Sequence, residues 1–260
     1  MSTLNFKSGY SEVNGLKMYY EIHGEGNPLV LIHGGGSTLQ TTFGNIIPLL
    51  SKCRKVIAVE LQAHGRTGDR AADLSFEQDA DDVAALLNNL EISKADFLGY
   101  SNGGQTLIEI ALRHADLVNK MIIASAFYKR SAAVAQFWEG FDSATIDVMP
   151  EPLISGFLKV NNDEKALLNM FEKDVKRMKS FKGWTDEQMK SINAPVLILN
   201  GMNDVGSLEH AVEMYRTIPN AQIAIIPGRH GTYIGAVEYL DNGKWTQRYI
   251  VDIINDFLNE

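Results

Sequence analysis

Gly99-Tyr100-Ser101-Asn102-Gly103 follows an apolar run and precedes a helical pattern, while Asp204 and His230 each stand just beyond a later apolar run. A serine hydroxyl is a weak nucleophile at neutral pH. It becomes a strong one when an imidazole takes its proton and a carboxylate fixes the imidazole's tautomer. G-x-S-x-G at a strand-to-helix turn suits that purpose, because the glycines let strand and helix approach and the helix N-terminus offers N–H groups to an oxyanion. His210 is a rival base by residue type, but it lies within a helical pattern, whereas His230 is followed by Gly231 on a turn that can reach inward. The reading is therefore nucleophile Ser101, acid Asp204 and base His230.

A second informative stretch is His33-Gly34-Gly35-Gly36-Ser37, directly after the apolar run Pro28–Ile32. Three consecutive glycines imply a backbone that approaches something closely. A phosphate is one candidate, yet neither a Gly-Lys-Ser/Thr P-loop nor a G-x-G-x-x-G spacing is present. The better one is an oxyanion hole built from the N–H of Gly35, with Gly36 next in line, paired with the N–H of Asn102. His33 then reads as an anchor for that loop. His64 has no second ligand at metal-like spacing and reads as a loop brace. The cluster Asp79, Asp81 and Asp82 reads as a solvated face near a helix N-terminus. Cys53, the single cysteine, lies among Lys52, Arg54 and Lys55 and reads as an unreactive thiol.

The elements that must position these residues alternate. Asn14-Gly15 between short extended runs predicts an opening hairpin. Strands are predicted at Pro28–Ile32, Lys55–Leu61, Asp96–Leu98, Val118–Ala126, Ala194–Leu199 and Gln222–Ile226, with helices around Thr42–Leu50, Ser75–Leu90, Gln105–Leu112, Ser207–Ile218 and Trp245–Leu258. Alternating strands and helices predict a mainly parallel sheet with helices on both faces and a site at the C-terminal strand edge, where Ser101, Asp204 and His230 converge. Residues 128–191 break the pattern. Strand-like runs stop there, and Trp138, Phe141, Met149, Phe157, Met170, Phe171, Met178 and Phe181 recur among charged residues. The division is a core of 1–127 and 192–260 with a helical cap or lid at 128–191, whose large apolar residues mostly pack its own helices.

Composition narrows the class. With 260 residues, 45% hydrophobic and 22% charged, the chain suits one large α/β domain. A formal net charge of -8 argues against nucleic-acid and anionic-membrane partners. No apolar run approaches the ~20 residues of a membrane helix, and Met1–Tyr10 lacks an apolar signal core, so the expectation is a soluble cytoplasmic protein.

With the serine elbow, the triple-glycine loop, and acid and base in the order Ser, Asp, His, the chain resembles the α/β-hydrolase superfamily over nearly its full length, the lid being the least recognisable part. The resemblance implies the α/β-hydrolase fold with an eight-stranded sheet, Ser101 as nucleophile, Asp204 as acid, His230 as base, and Gly35 and Asn102 as oxyanion donors. It implies no cofactor, and no metal site is read from the sequence. Serine stands where haloalkane dehalogenases and the related epoxide hydrolases carry aspartate, which speaks against both. The long separation of Ser101 and Asp204 is similar to members with a cap after the sixth strand, among them small-molecule esterases, cofactor-free perhydrolases and carbon–carbon bond hydrolases. The leading expectation is a serine hydrolase cleaving a small ester or related acyl compound through an acyl-enzyme. Carbon–carbon cleavage on the same triad and a ligand-binding receptor on a hydrolase scaffold are the alternatives. The partner is a small-molecule substrate; oligomeric state is not legible.

Overall fold

The computed structural model describes residues 6–240 and 249–260. Asn14 and Gly15 both take positive φ, 48° and 77°, giving the tight turn whose twist matches the flanking strands. That turn pairs β1 (Phe6–Val13) with β2 (Leu16–His23), Val13 opposite Leu16. After β3 (Pro28–Ile32) come α1 (Leu39–Phe43) and α2 (Ile47–Leu50), two short helices where one was expected. Pro48 explains the break: without an N–H it fits only the first turn of a helix, so a new helix begins beside it. Then follow β4 (Lys55–Val59), α3 (Phe76–Asn89), β5 (Ala95–Tyr100), α4 (Asn102–Arg113) and β6 (Val118–Ala124). Ser75 caps α3 by accepting from the Gln78 N–H.

Between β6 and the next strand, the chain forms α5 (Ala135–Glu139), α6 (Glu151–Val160), α7 (Glu164–Ser180) and α8 (Asp186–Lys190). The core resumes with β7 (Val196–Asn203), α9 (Leu208–Thr217), β8 (Ala221–Arg229) and α10 (Tyr249–Asn259). The expected start of the last helix at Trp245 lies outside the described residues.

Eight strands form one sheet in the order β1-β2-β4-β3-β5-β6-β7-β8, antiparallel from β1 to β4 and parallel from there on. The inner strands are apolar on both faces, as a doubly covered sheet requires. Val30, Ile57, Phe97 and Ile123 face α3 and α4; their neighbours Leu31, Ala58, Leu98 and Ile122 face α1, α2 and α10. Both sides are thereby dry, and every parallel strand delivers its C-terminal end to one edge.

The cap is seated by aromatic packing with satisfied polar tips. Trp138 and Phe181 stack at 5.7 Å, and Trp138 Nε1 donates to the Arg130 carbonyl at 2.9 Å. Trp184 Nε1 donates to Glu109 Oε1 on α4 at 2.5 Å, joining cap to core. Among the described residues no helix is long and apolar enough to cross a membrane.

Candidate active site

Ser101 lies between β5 and α4 with φ 51° and ψ -123°, a conformation that side chains rarely adopt. Its surroundings admit no bulk. A Cβ on Gly99 would sit 2.3 Å from the Gly103 carbonyl oxygen, one on Gly103 2.1 Å from that of Ile32, and one on Gly104 2.6 Å from Ala126 Cβ. The glycines of the motif thus let the helix press onto the sheet. The Ser101 N–H is held by the Ala124 carbonyl at 2.9 Å, which fixes the turn to β6.

The sheet edge brings the three expected residues together. His230, just after β8, has Nε2 3.1 Å from Ser101 Oγ and Nδ1 2.5 Å from Asp204 Oδ1, just after β7. With Nδ1–H donated to the carboxylate, Nε2 is left to accept the serine proton. Asp204 also accepts from the Gly201 N–H at 2.8 Å, the Val205 N–H at 2.8 Å and Ser125 Oγ at 2.6 Å. Burial alone would raise its carboxyl, but the charge and hydrogen bond of His230, with those from Ser125 and Gly201, hold it below the usual carboxylate range. His210, the rival base, is instead 2.9 Å from Glu213 and accepts the Tyr128 N–H, away from Ser101.

The triple-glycine loop lies against the serine turn. A Cβ on Gly35 would meet Asn102 Nδ2 at 2.5 Å, and one on Gly34 would meet Ser101 Cβ at 3.2 Å. His33 anchors the loop as expected: the Leu61 N–H donates to its Nε2, so Nδ1–H donates to the Gly34 carbonyl at 2.7 Å. Burial, helped by the neighbouring His64 charge, pushes His33 down to about 3 and keeps it neutral. Among the described residues no intramolecular hydrogen bond engages the N–H of Gly35 or of Asn102, and both residues line the cavity. The Gly36 N–H, next in line from sequence, is already taken by Asp174 at 2.6 Å.

The cavity above Ser101 measures about 240 Å³. Its wall is apolar on the cap side, where Phe141, Met149, Phe171 and Met178 contribute, whereas Trp138, Phe157, Met170 and Phe181 pack into the interior. Opposite, Tyr100 packs 5.0 Å from the His230 ring and donates to Glu238 Oε1 at 3.0 Å; burial raises the Glu238 carboxyl.

Several site residues escaped the sequence reading. Ser125, at φ 50°, directly follows β6 and braces Asp204; its only signal is a polar residue at a strand's C-terminal edge. Asp174 and Arg177 of α7 gave none, being two charges on an amphipathic helix. The acidic cluster of α3 is a correction: Asp79 and Asp82 are each 1% exposed, because Arg177 and Arg70 reach them and replace their water. Only Asp81 keeps a part-exposed pairing, with Arg113 and His114. His64 braces its loop through the Gln62 carbonyl at 2.8 Å, and it also contacts Asp174 of the cap at 2.9 Å. Among the described residues no group of three or more His, Cys, Asp or Glu side chains is placed to hold a metal ion.

Residues 27–154, the stretch from β3 through the serine turn into the cap, match the alpha/beta hydrolase fold family. The chain belongs to the α/β-hydrolase superfamily. A crystal structure of a serine hydrolase involved in carbazole degradation superimposes on this α/β-hydrolase with a TM-score of 0.78, covering 98% of this chain and 99% of that one; at 20% identity the likeness speaks to fold. In sequence it is similar to the (E)-2-((N-methylformamido)methylene)succinate hydrolase of Acinetobacter baylyi, 27% identical over 85% of this chain and 86% of that protein. It is also similar to the dihydrolipoyllysine-residue acetyltransferase component of the acetoin cleaving system of Pseudomonas putida, at 28% identity over 85% of this chain. The chain spans 59% of that relative's length.

Proposed function

We propose that this α/β-hydrolase cleaves a small, uncharged ester or related acyl compound through an acyl-enzyme on Ser101. The reading is carried by the unbroken chain from Ser101 Oγ through His230 to Asp204, 3.1 and 2.5 Å, at the floor of an apolar cavity. Ser101 attacks the carbonyl carbon as its proton passes to His230 Nε2, and the carbonyl oxygen becomes an oxyanion. The N–H groups of Gly35 and Asn102 receive that oxyanion. His230 then protonates the leaving alcohol, and the acyl-enzyme is hydrolysed by a water that His230 deprotonates. Residues 128–191 act as the cap that encloses the acyl group.

Carbon–carbon cleavage would use the same triad. Against it as the first choice stands the cavity wall, which carries no Lys or Arg among the described residues to pair a substrate carboxylate such as a vinylogous acid bears. A ligand receptor on this scaffold would show slow single turnover in place of sustained hydrolysis. The test is steady-state hydrolysis of p-nitrophenyl esters of increasing acyl length, with Ser101→Ala as control. Activity should peak at one chain length and fall by about ten-thousand-fold or more in Ser101→Ala. Unchanged turnover in that variant would remove Ser101 from the mechanism, and no turnover above it would favour carbon–carbon cleavage or ligand sensing.

A further inference from the structure

The glycine loop that offers its Gly35 N–H to the site is pinned at three points. Two pins belong to the core: His33 Nδ1–H on the Gly34 carbonyl at 2.7 Å, and Ser37 Oγ on the Gly35 carbonyl at 3.3 Å. The third comes from the cap, where Asp174 Oδ2 on α7 accepts the Gly36 N–H at 2.6 Å. The same oxygen takes His64 Nε2–H at 2.9 Å, and Asp174 Oδ1 takes Arg177 at 2.5 Å. Arg177 continues to Asp79 of α3 at 2.7 Å.

A carboxylate here needs explaining, because Asp174 Oδ2 lies only 3.2 Å from where a Gly35 Cβ would stand, beside a developing oxyanion. A bare anion at that place would oppose the reaction. Its surroundings cancel it. Both nitrogens of His64 face acceptors, the Gln62 carbonyl and Asp174, so the ring carries both protons and a positive charge, and Arg177 supplies a second. Asp174 can therefore orient the loop without presenting a net negative charge to it.

We propose that Asp174 is a positioning residue which, by holding Gly36 from the cap, aims the Gly35 N–H at the oxyanion, so that the oxyanion hole is complete only while the cap is seated. The inference rests on the hydrolase reading above. It makes cap closure a condition for transition-state stabilisation as well as for enclosing the substrate.

The test compares full-length Asp174→Ala, which removes the acceptor for the Gly36 N–H, with Lys173→Met. Lys173→Met breaks the neighbouring ion pair of α7 to Asp69 but leaves Gly36, His64 and Arg177 on the Asp174 carboxylate, so it reports a perturbed α7 alone. Each protein is assayed with p-nitrophenyl butyrate and titrated with an aryl trifluoromethyl ketone. In that adduct a Ser101 Oγ–carbon bond forms, the proton passes to His230 and the carbonyl electrons become an oxyanion in the hole. Asp174→Ala should lower kcat by roughly ten- to hundred-fold with KM within about threefold, and weaken the ketone by the same factor as kcat/KM. Lys173→Met should keep kcat and ketone affinity within about threefold, with a small loss of thermal stability.

Equal losses in the two variants, or an unchanged kcat in Asp174→Ala, would overturn the proposal. If Asp174→Ala does not fold, His64→Gln takes its place, since losing that positive charge must weaken ketone affinity and kcat/KM together; unchanged affinity there overturns it equally. Labelling of the unmodified chain at Ser101 by a fluorophosphonate separates the two claims. Labelling with indistinguishable variants rejects Asp174 alone, and no labelling rejects the hydrolase reading and the proposal together.

Discussion

Asp204 and Asp174 are both buried carboxylates that hold another group in place, yet one stands at a strand end and the other on a cap helix. Around Asp204 the donors are two backbone N–H groups, a buried serine hydroxyl and the imidazole it orients. Around Asp174 they are one backbone N–H and two cations, His64 and Arg177. The first set is delivered by turns that the parallel sheet fixes. The second joins Asp174 and Arg177 of one cap helix to the Gly36 N–H and His64 of two core loops, so the contacts across that boundary part if the cap moves. Chemistry built on the core is thus rigid, and chemistry shared with the cap is conditional.

The largest expected effect tests the rigid half. Asp204→Asn preserves the shape of the site but allows the wrong His230 tautomer, and kcat should fall by about a thousand- to ten-thousand-fold with KM little changed. A loss below tenfold would mean that another group orients His230.

Next comes Ser125, whose hydroxyl donates to Asp204 Oδ2 at 2.6 Å while the Tyr233 hydroxyl lies 2.7 Å from it. Ser125→Ala removes one of several bonds that hold Asp204 ionised and still. A single hydrogen bond to a charged group contributes about 1.5–3 kcal/mol, and since other donors remain, kcat should drop about tenfold. If Ser125→Ala matches Asp204→Asn in kcat, the support around Asp204 is not distributed as its bonding pattern suggests.

The contrast also explains what could be read from the sequence. Ser101, Asp204 and His230 are each the polar residue at the end of an apolar run, and the strand-to-helix alternation states that such ends share one edge. Gly99, Gly103 and Gly104 announce a close packing that the structure confirms by distance. Asp174 follows no such rule. Its partners His64, Gly36 and Arg177 come from two loops and its own helix, and helical periodicity records a charge without saying which loop the helix covers. The same limit misplaced Asp79: its spacing suited an exposed face, and only the arrival of Arg177 from the cap shows why it can be buried. Pro48 carried a usable signal, since a proline within Thr42–Leu50 already marks a helix start.

The smallest expected effect, a few degrees in Tm, separates the two halves by pH. Asp204 and Asp174 are both held below the ordinary carboxylate value of 3.8, so the stability they contribute is present above that value and is lost as pH falls through their folded values. On the alkaline side two groups that face the cap's charges titrate, beside the core carboxyl Glu60, which burial pushes up to about 7 and whose contribution is likewise lost as pH rises from 4.5 through about 7. Burial pushes Asp79 up to about 6 despite Arg177, so its contribution is full below 3.8 and is lost as pH rises through about 6. Burial would hold His64 neutral, but Asp174 outweighs it and raises the imidazole above 6.5, so its contribution is full below 6.5 and is lost as pH rises through the higher folded value. In difference curves against the unmodified chain, Asp79→Asn should therefore remove that residue's share of the decline in Tm between about pH 4 and 6, and His64→Gln its own share above about pH 6.5. Ser125→Ala should move neither of these limbs and should instead shift the acid one to higher pH, because Asp204 loses a donor to its ionised form. Difference curves that stay flat across both windows would show that neither Asp79 nor His64 titrates against the cap's Arg177 and Asp174, and would dissolve the distinction between a rigid half and a conditional one.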